Sequence, residues 1–531
     1  MSISIRAVGH ASRRGAIRRV PRPAALLEEV EAWLTTAAAE TVRGHRPGLR
    51  TDDGALEVRL HPAARPVRFE ASEQGVLTAT ATTIPVGPGY HTYIARLLHR
   101  LADAIGVTWA PAADPDGGAG EVADRSADPT GAFFSEVRTD AERGHLDWLR
   151  ASLHAVHEAR RQGQHGLHLA TPAGVRYSFD GAVATVLGPR DDDWVARALA
   201  DPRVAADIWP WIGDAMDARY ELGVAMTLLW NEVRWRPPVN QAEVEVLDEV
   251  LARLRRGQIE DPSLPWPWAA WREVFDLRGH VDPSVERLLD QGVRAATWSR
   301  NRSDLRSPDA RSDGSSVRAR SDDDVADDRA IGYRRGPVTI LYNGWALDLP
   351  GSFSETRTAD RWIGSDARRT VTLSAAPTTI DGSPMSTQAF LQHYTGGFET
   401  DVLTHAVGEL RGRARATTDP SRGVVVGRIE GFSAITGSGA VIVIDIDDLD
   451  DEAWAVRTWR TLRPLPGTGG GGSDLLPAGE RRLWDRREPH DRRRGGERRQ
   501  GERRAAWRGD ADRRAAAPPA TPSTAADANA G

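Results

Sequence analysis

The first hundred residues alternate between helical and extended patterns of apolar side chains. A helix is predicted over residues 24–41, and its apolar face consists of Leu26, Leu27, Val30 and Leu34. Strand-like runs follow at 55–60, 67–70 and 75–83. A second helix is predicted between the turn Gly87-Pro88-Gly89 and Gly106, with the apolar stripe Ile94, Leu97, Leu98, Leu101 and Ile105. Residues 23–110 are therefore predicted to form one α+β unit.

A similar succession of patterns begins again near Phe134. The apolar stripe of its helix is Leu146, Leu149, Leu153 and Val156. Short strands are predicted at 167–170, 175–179 and 182–187, with Asp180-Gly181 as the turn of a hairpin. Residues 131–298 are predicted to form a second α+β unit, which extends into the helical region described below.

Two stretches of these units align without gaps. In the first, four residues separate Gly87-Pro88 from residues 93–98. In the second, Gly188-Pro189 precedes residues 194–199 by the same interval. Because both stretches occupy the same place in the order of predicted elements, we infer a duplicated α-β-β-β-α unit in a multidomain α+β protein.

Residues 203–297 combine helical patterns with a high density of tryptophan. Helices are predicted at 216–235, 241–256, 265–277 and 283–293. The tryptophans of this region are Trp209, Trp211, Trp230, Trp235, Trp266, Trp268 and Trp271. Aromatic side chains bury large apolar areas, so we expect these residues to fill and cover a helical core.

Three segments have compositions that cannot build a core. Residues 1–22 include Arg13, Arg14, Arg18 and Arg19 with no apolar stretch behind them and are predicted to be a mobile basic arm. Residues 299–335 are dominated by Ser, Arg and Asp and are predicted to be a disordered linker. Residues 466–531 contain a glycine run followed by repeated Arg-Arg pairs, which predicts a disordered Arg-rich tail.

Residues 336–465 return to a regular pattern and are predicted to fold as a separate small antiparallel α+β module. Asn343-Gly344 predicts a hairpin, because this pair favours the left-handed backbone of a type I′ turn. Further strands are predicted at 371–374, 424–430, 432–436 and 440–445, and helices at 387–396 and 452–462.

The ends of this module carry a family resemblance. The opening Trp345-Ala346-Leu347-Asp348-Leu349-Pro350, the late β-meander and the final helix ending in Thr461-Leu462-Arg463-Pro464 resemble Mog1/PsbP-like domains. The resemblance covers about a quarter of the chain and includes no catalytic motif. It implies that fold for residues 336–465 and a binding or accessory role, which is the usual role of such domains.

Two missing residue types exclude whole classes of chemistry. The 531-residue chain has no cysteine, and all 69 of its basic residues are arginine. Disulfides, thiolate metal sites, cysteine nucleophiles, Schiff-base lysines and the P-loop lysine are therefore excluded. We attribute both deficits to codon bias in a GC-rich, bacterial-type genome. No signal peptide or long apolar run is found, so we expect a cytoplasmic protein without a membrane span.

The candidate metal ligands are His154 and His157. They are three residues apart and therefore share one face of a predicted helix, where both imidazoles could coordinate one metal ion. Their spacing matches no known zinc motif, and both flank the apolar stripe, where amphipathic side chains are common. The site would support a metal-assisted hydrolase; the alternative is two surface histidines.

The candidate ligand-binding residues are Tyr90 and His91. They lie at the start of a predicted helix, where free N–H groups and the helix dipole could hold an anion. The second copy has Arg190-Asp191-Asp192-Asp193 in that place, and these carboxylates are predicted to cap the helix and repel an anion. The alternative is a turn that only starts a helix.

The function favoured by the sequence is a non-enzymatic protein-binding, scaffolding or accessory role, with a protein partner and no cofactor. The missing catalytic motifs and the two folded blocks on a long linker support it. Nucleic-acid binding is a further alternative, because residues 480–514 hold 14 arginines against 8 acidic residues. The interleaved acids weaken that field, and the sequence leaves the oligomeric state open.

Overall fold

The computed structural model describes residues 4–465 with gaps. The longer gaps are 12–20, 38–48, 52–53, 111–131, 306–329, 399–401 and 420–425; the shorter ones are 173, 214, 280–281 and 359. The Arg-rich tail predicted at 466–531 and most of the linker predicted at 299–335 lie outside the described residues. We call residues 4–305 the N-terminal part and residues 330–465 the C-terminal part.

The N-terminal part begins with a six-stranded antiparallel sheet covered by two helices. Its elements are β1 (Ser4–Ala11), α1 (Pro23–Ala37), β2 (Leu49–Arg50), β3 (Leu56–Val58), β4 (Val67–Ala71), β5 (Val76–Thr82), α2 (Pro88–Ile105) and β6 (Val107–Ala110). The strand order is β2-β3-β4-β5-β1-β6. The predicted α2 stripe is buried against this sheet, and Gly106 ends the helix in the left-handed conformation that the sequence predicts.

Strand β1 corrects the prediction of a mobile basic arm at residues 1–22. Ser4–Ala11 pairs with β5 on one side and with β6 on the other, so it lies inside the sheet. Its alternating side chains Ile5 and Ala7 are buried, which is the period-two pattern of a strand that covers a core. The four arginines on which that prediction rested, Arg13, Arg14, Arg18 and Arg19, lie outside the described residues.

The second unit has a different pairing from the first. Its elements are α3 (Ala132–Arg161), β7 (Leu167–Leu169), β8 (Val175–Tyr177), β9 (Val183–Thr185), β10 (Gly188–Arg190) and α4 (Asp192–Ala200). β7 runs parallel to β9, whereas the first unit is antiparallel throughout. What the two stretches share is local: Gly87 and Gly188 have φ angles of 111° and 108° before their helices.

Four helices complete the N-terminal part at the positions that the sequence predicts. They are α5 (Ala218–Asn231), α6 (Gln241–Glu260), α7 (Trp268–Arg278) and α8 (Pro283–Leu305). Asp217 and Asn240 cap the first two by accepting backbone N–H bonds. Trp211, Trp266 and Trp271 are buried in the same core as the first sheet, which confirms the packing role expected for the tryptophans.

The described residues of the C-terminal part form a seven-stranded sheet, three strands of a four-stranded sheet, a two-stranded ribbon and two α-helices. Its first elements are β11 (Pro337–Tyr342), β12 (Trp345–Pro350), β13 (Ser354–Arg357), β14 (Trp362–Ser365), β15 (Arg369–Pro377), β16 (Thr379–Ile380), β17 (Ser383–Pro384) and α9 (Thr387–Thr395). The remaining ones are β18 (Val402–Val407), β19 (Leu410–Asp419), β20 (Val426–Ile435), β21 (Ser438–Ile446), α10 (Glu452–Arg460) and β22 (Arg463–Pro464). The larger sheet has seven antiparallel strands in the order β13-β14-β15-β21-β20-β19-β18.

The smaller sheet joins the two parts of the chain. Its order is β22-β12-β11-β8, so a strand of the N-terminal part pairs with the first hairpin of the C-terminal part. The Tyr333 hydroxyl donates to the carbonyl of Thr185 at 2.8 Å and accepts from its N–H at 3.1 Å. This differs from the separate module expected at 336–465, and β8 does not form the hairpin expected at Asp180-Gly181.

The observed architecture is a multidomain α+β fold, as the sequence predicts. Within the part of the chain that the structure describes, no helix is both long and apolar enough to cross a membrane.

Candidate functional site

The predicted metal ligands His154 and His157 lie on the solvent-exposed face of α3. The apolar stripe residues Leu153 and Val156 alternate with them and are buried in the core under the helix. Among the described residues, no group of three or more His, Asp or Glu side chains lies close enough together to hold a metal ion. The geometry therefore gives these two histidines no third protein ligand.

The predicted anion site at Tyr90 and His91 is covered by protein. Gly89 of the first turn of α2 donates its N–H to the carbonyl of Trp211 at 3.2 Å, and Trp211 donates to Val86 at 3.0 Å. Tyr90 is completely buried and packs against the Trp211 ring. The backbone at 211 thus takes the place expected for an anion, and burial raises the pKa of the Tyr90 hydroxyl.

His91 belongs instead to a buried pair of histidines. Its ring lies edge-on to that of His145, with 6.0 Å between the centroids, and its Nδ1 lies 3.1 Å from Thr83 Oγ1. Desolvation, and then the proximity of His145, lower the pKa of His91 to about 3. Burial also lowers the pKa of His145, so both rings are neutral and serve packing.

In the second copy, the acidic residues cap the helix as the sequence predicts. The carboxylate of Asp191 accepts a hydrogen bond from the N–H of Trp194 at 2.7 Å.

The two edges of the seven-stranded sheet have different surroundings. At β13, Ser354 accepts a hydrogen bond from Asn240 at 3.0 Å, and Arg357 donates to the carbonyl of Gly174 at 2.7 Å. Glu355 on the same strand forms a buried ion pair with Arg234 of the N-terminal part at 3.9 Å, and its carboxylate also contacts Arg334 at 2.6 Å. The β13 edge is therefore held against the N-terminal part.

Strand β18 forms the other edge and has a single strand partner, β19, among the described residues. Thr404, Ala406 and Val407 are exposed, and Val407 presents 64% of its surface to solvent. An edge strand carries backbone N–H and C=O groups that have no strand to pair with, and natural proteins usually cover or charge such edges. The β18 edge is a template for one more strand.

A groove of about 530 Å³ lies beside this edge. On one side it is bounded by the β18–β19 hairpin, through His405, Val407 and Leu410, and on the other by the chain after α10. That chain includes β22, the edge strand of the smaller sheet, so two sheet edges flank the groove. Its apolar lining residues are Val407, Leu410, Ile435, Leu462, Pro464 and Leu465. We call this feature the β18 groove.

Four charged side chains line the β18 groove, and two of them form an ion pair with each other. Arg463 binds the carboxylate of Asp348 at 2.8 Å, and Arg460 and Glu409 complete the charged lining. Partial burial, and then Arg460, lower the pKa of His405, which favours its neutral form. The floor is therefore suited to apolar side chains of an extended chain rather than to an ion.

Neither side of this groove was predicted from the sequence. β18 and β19 lie between the predicted helix at 387–396 and the predicted strand at 424–430. A period-two pattern was available there: Arg411, Arg413 and Arg415 alternate with the small buried residues Gly412 and Ala414. Alternation of arginine with glycine and alanine is a weak strand signal, because small residues have low strand propensity.

Comparisons with known proteins give no family. No protein-family model matches the chain, and no curated protein matches it. A crystal structure from Bacteroides thetaiotaomicron aligns with a TM-score of 0.21 and 9% identity, over 24% of this chain and 48% of that one. The chain thus spans about half the length of that structure, and a likeness this weak carries no argument about fold or function.

Proposed function

We propose that this protein is a non-enzymatic binding or accessory protein, and that it binds an extended segment of a partner protein along β18. The observation that carries the proposal is the outer edge of β18, which pairs with no strand among the described residues and lies beside an apolar groove. In strand addition, main-chain hydrogen bonds supply affinity and a neighbouring pocket selects side chains. The resemblance of residues 336–465 to Mog1/PsbP-like domains is consistent with such a role.

The other two functions predicted from the sequence find no support among the described residues. A metal-assisted hydrolase needs a third ligand beside His154 and His157, and none is near them in the described structure. Nucleic-acid binding was assigned to the tail, which lies outside the described residues.

Affinity capture from the native host's lysate, with the full-length chain as bait and quantitative mass spectrometry as the measurement, tests the proposal. Ala406→Pro removes a backbone N–H from the edge, and Val407→Lys places a charge beside the groove. Val204→Lys is the matched control, because Val204 is 49% exposed in a different region. We expect one stoichiometric partner that is retained by Val204→Lys and reduced at least tenfold by both β18 variants.

Equal capture by all four baits would show that β18 is not the binding edge. Capture of no protein in stoichiometric amount would contradict the binding function itself. Hydrogen exchange of the purified complex supplies an independent measurement, since strand addition is expected to slow exchange of the β18 amides.

A further inference from the structure

The two faces of β18 carry different side chains. Leu403, His405 and Val407 alternate along one face; Leu403 packs against the core, and the other two line the β18 groove. Thr404 and Ala406 lie on the opposite face, and both are exposed. Because successive residues of a strand point to opposite sides of its sheet, a strand added at β18 meets the groove on one side and this second face on the other.

The second face of β18 adjoins arginines of the neighbouring strand. In β19, Arg411 lies opposite Ala406, and Arg413 lies opposite Thr404. Directly opposed residues of an antiparallel pair share one face of the sheet. Both arginine side chains therefore lie on the side of the sheet that faces away from the β18 groove.

Neither arginine forms an ion pair with a carboxylate among the described residues. Arg411 donates to the carbonyls of Gly408 and Leu410 in the hairpin turn. Arg413 donates through one nitrogen to the hydroxyl of Thr395 at 3.4 Å. Arg411 is exposed and Arg413 is half-buried, and no unbonded nitrogen of Arg413 is shut off from solvent. Both residues can therefore donate further hydrogen bonds to an arriving molecule.

The other arginines on this side of β19 and β20 are neutralised. Arg415 binds Glu430 at 2.6 Å, and Arg428 binds Asp445 at 2.6 Å. These two ion pairs leave the charges of Arg411 and Arg413 as an excess on this side of the sheet, within the described residues. The excess lies one strand away from the open edge.

A strand added at β18 comes within reach of this charge. Neighbouring strands are spaced by about 4.8 Å, so the added strand lies about 10 Å from β19. The intervening side chains of Thr404 and Ala406 are short and leave room above them. An arginine from β19 and a glutamate from the added strand can therefore meet across β18.

We propose that the segment added to β18 alternates acidic with apolar side chains. Its carboxylates face Arg411 and Arg413, and its apolar side chains enter the β18 groove. This inference rests on the function proposed above and names the chemistry of the partner. A second copy of this chain does not supply that chemistry, because pairing through its own β18 brings two more arginines to the same face.

Fluorescence anisotropy with the full-length protein tests the proposal, with labelled peptides about eight residues long as probes. In the three peptides, valine alternates with glutamate, with serine or with lysine. We expect the glutamate peptide to bind about tenfold more tightly than the serine peptide, since two partly exposed ion pairs are gained. The lysine peptide is expected to bind most weakly. Sodium chloride should weaken binding of the glutamate peptide and leave the serine peptide unchanged.

Variants assign the effect to the two arginines. The double variant Arg411→Gln/Arg413→Gln is expected to reduce the affinity for the glutamate peptide to that for the serine peptide, and to leave the latter unchanged. Arg428→Gln is the matched control on the same side of the sheet, because its guanidinium is paired with Asp445 away from β18. It is expected to leave both affinities unchanged.

The serine peptide separates this inference from the proposed function. Equal affinities for the glutamate and serine peptides would overturn the acidic assignment and leave strand addition intact, as would a preference for glutamate that survives the double substitution. Equal loss of both peptides in the double variant would indicate a structural role for the arginines and would also overturn the assignment. If no peptide binds, or if Ala406→Pro leaves binding of the serine peptide unchanged, strand addition at β18 itself is wrong.

Discussion

The seven-stranded sheet ends in two edge strands whose surroundings differ in kind. At β13, the Asn240 side chain and the Gly174 carbonyl of the N-terminal part form hydrogen bonds with the strand, and Arg234 forms a buried ion pair with Glu355 at 3.9 Å. At β18, the strand has one partner among the described residues and an apolar groove beside it. The sheet chemistry is the same at both ends, so the difference lies in what packs against each edge. Within the described part of the chain, one edge is covered by the N-terminal part and the other has no further strand beside it.

The largest difference in unfolding free energy is expected between substitutions of Glu355 on β13 and of Glu430 on β20. Glu355→Gln removes the carboxylate in contact with the buried Arg334 and is expected to lower the free energy of unfolding by about 3 to 5 kcal/mol. Glu430→Gln breaks the partly exposed Arg415–Glu430 pair and is expected to cost less than about 1 kcal/mol. Urea unfolding of both variants measures this. If both variants lost the same small amount of unfolding free energy, the contacts at β13 would contribute no more to stability than an exposed ion pair.

Acid should reproduce part of the Glu355→Gln effect. Arg334 and Arg234 hold the pKa of Glu355 below its ordinary value of 4.5, despite the opposing effect of burial. Its contribution to stability is therefore fully present above pH 4.5 and is lost as the pH falls through the lower folded-state pKa. Unfolding measured from pH 7 to pH 3 should show a steeper decline for the unmodified chain than for Glu355→Gln. Parallel curves would contradict the assignment.

A smaller difference in stability is expected between two tyrosine-to-phenylalanine variants. Tyr333→Phe removes both hydrogen bonds to the backbone of Thr185 at the junction and is expected to cost about 2 kcal/mol, since two buried backbone groups lose their partner. Tyr394→Phe on the exposed surface of α9 is the control, with an expected change within about 0.5 kcal/mol. Thermal unfolding compares the two. A similar loss of stability in both variants would mean that the Tyr333 hydrogen bonds do not stabilise the junction of the two parts.

The smallest effect is expected at β18 itself. Val407→Thr keeps the β-branched shape of an exposed side chain and should change the free energy of unfolding by less than about 0.5 kcal/mol. Chemical denaturation measures this change. A loss above 1 kcal/mol would mean that Val407 is packed against protein, and the β18 edge would then no longer count as open.

Elements that are determined by residues adjacent in the chain could be predicted from the sequence. Asn343 and Gly344 have φ angles of 47° and 80°, as the expected hairpin requires. One error was also local. Gly431 divides the predicted strands 424–430 and 432–436, but β20 runs through it without interruption. The ring of Trp459 lies where a Cβ on Gly431 would be, so this glycine serves packing rather than a break in the strand.

Pairings between distant segments could not be predicted. β8 pairs with β11 rather than with its neighbour, and nothing near Val175–Tyr177 signals a partner beyond the linker. The buried cluster of Arg234, Arg334 and Glu355 has the same origin, because its members come from three separate stretches. The candidate residues chosen from the sequence, Tyr90, His91, His154 and His157, were neighbours along the chain. Local spacing therefore identified helix starts and surface positions, but not the β18 groove.

The β8–β11 pairing has a consequence for synthesis on the ribosome. Tyr333 contacts Thr185 of β9 across a separation of 148 residues, and the β8–β11 pairing spans a still longer stretch, so β8 leaves the ribosome long before its partner. At typical elongation rates this interval lasts about 7 to 30 seconds. During that time the strand and the face of Trp230 that Tyr333 later covers are exposed in the nascent chain. That interval is when this protein is most open to aggregation or to the binding of a chaperone.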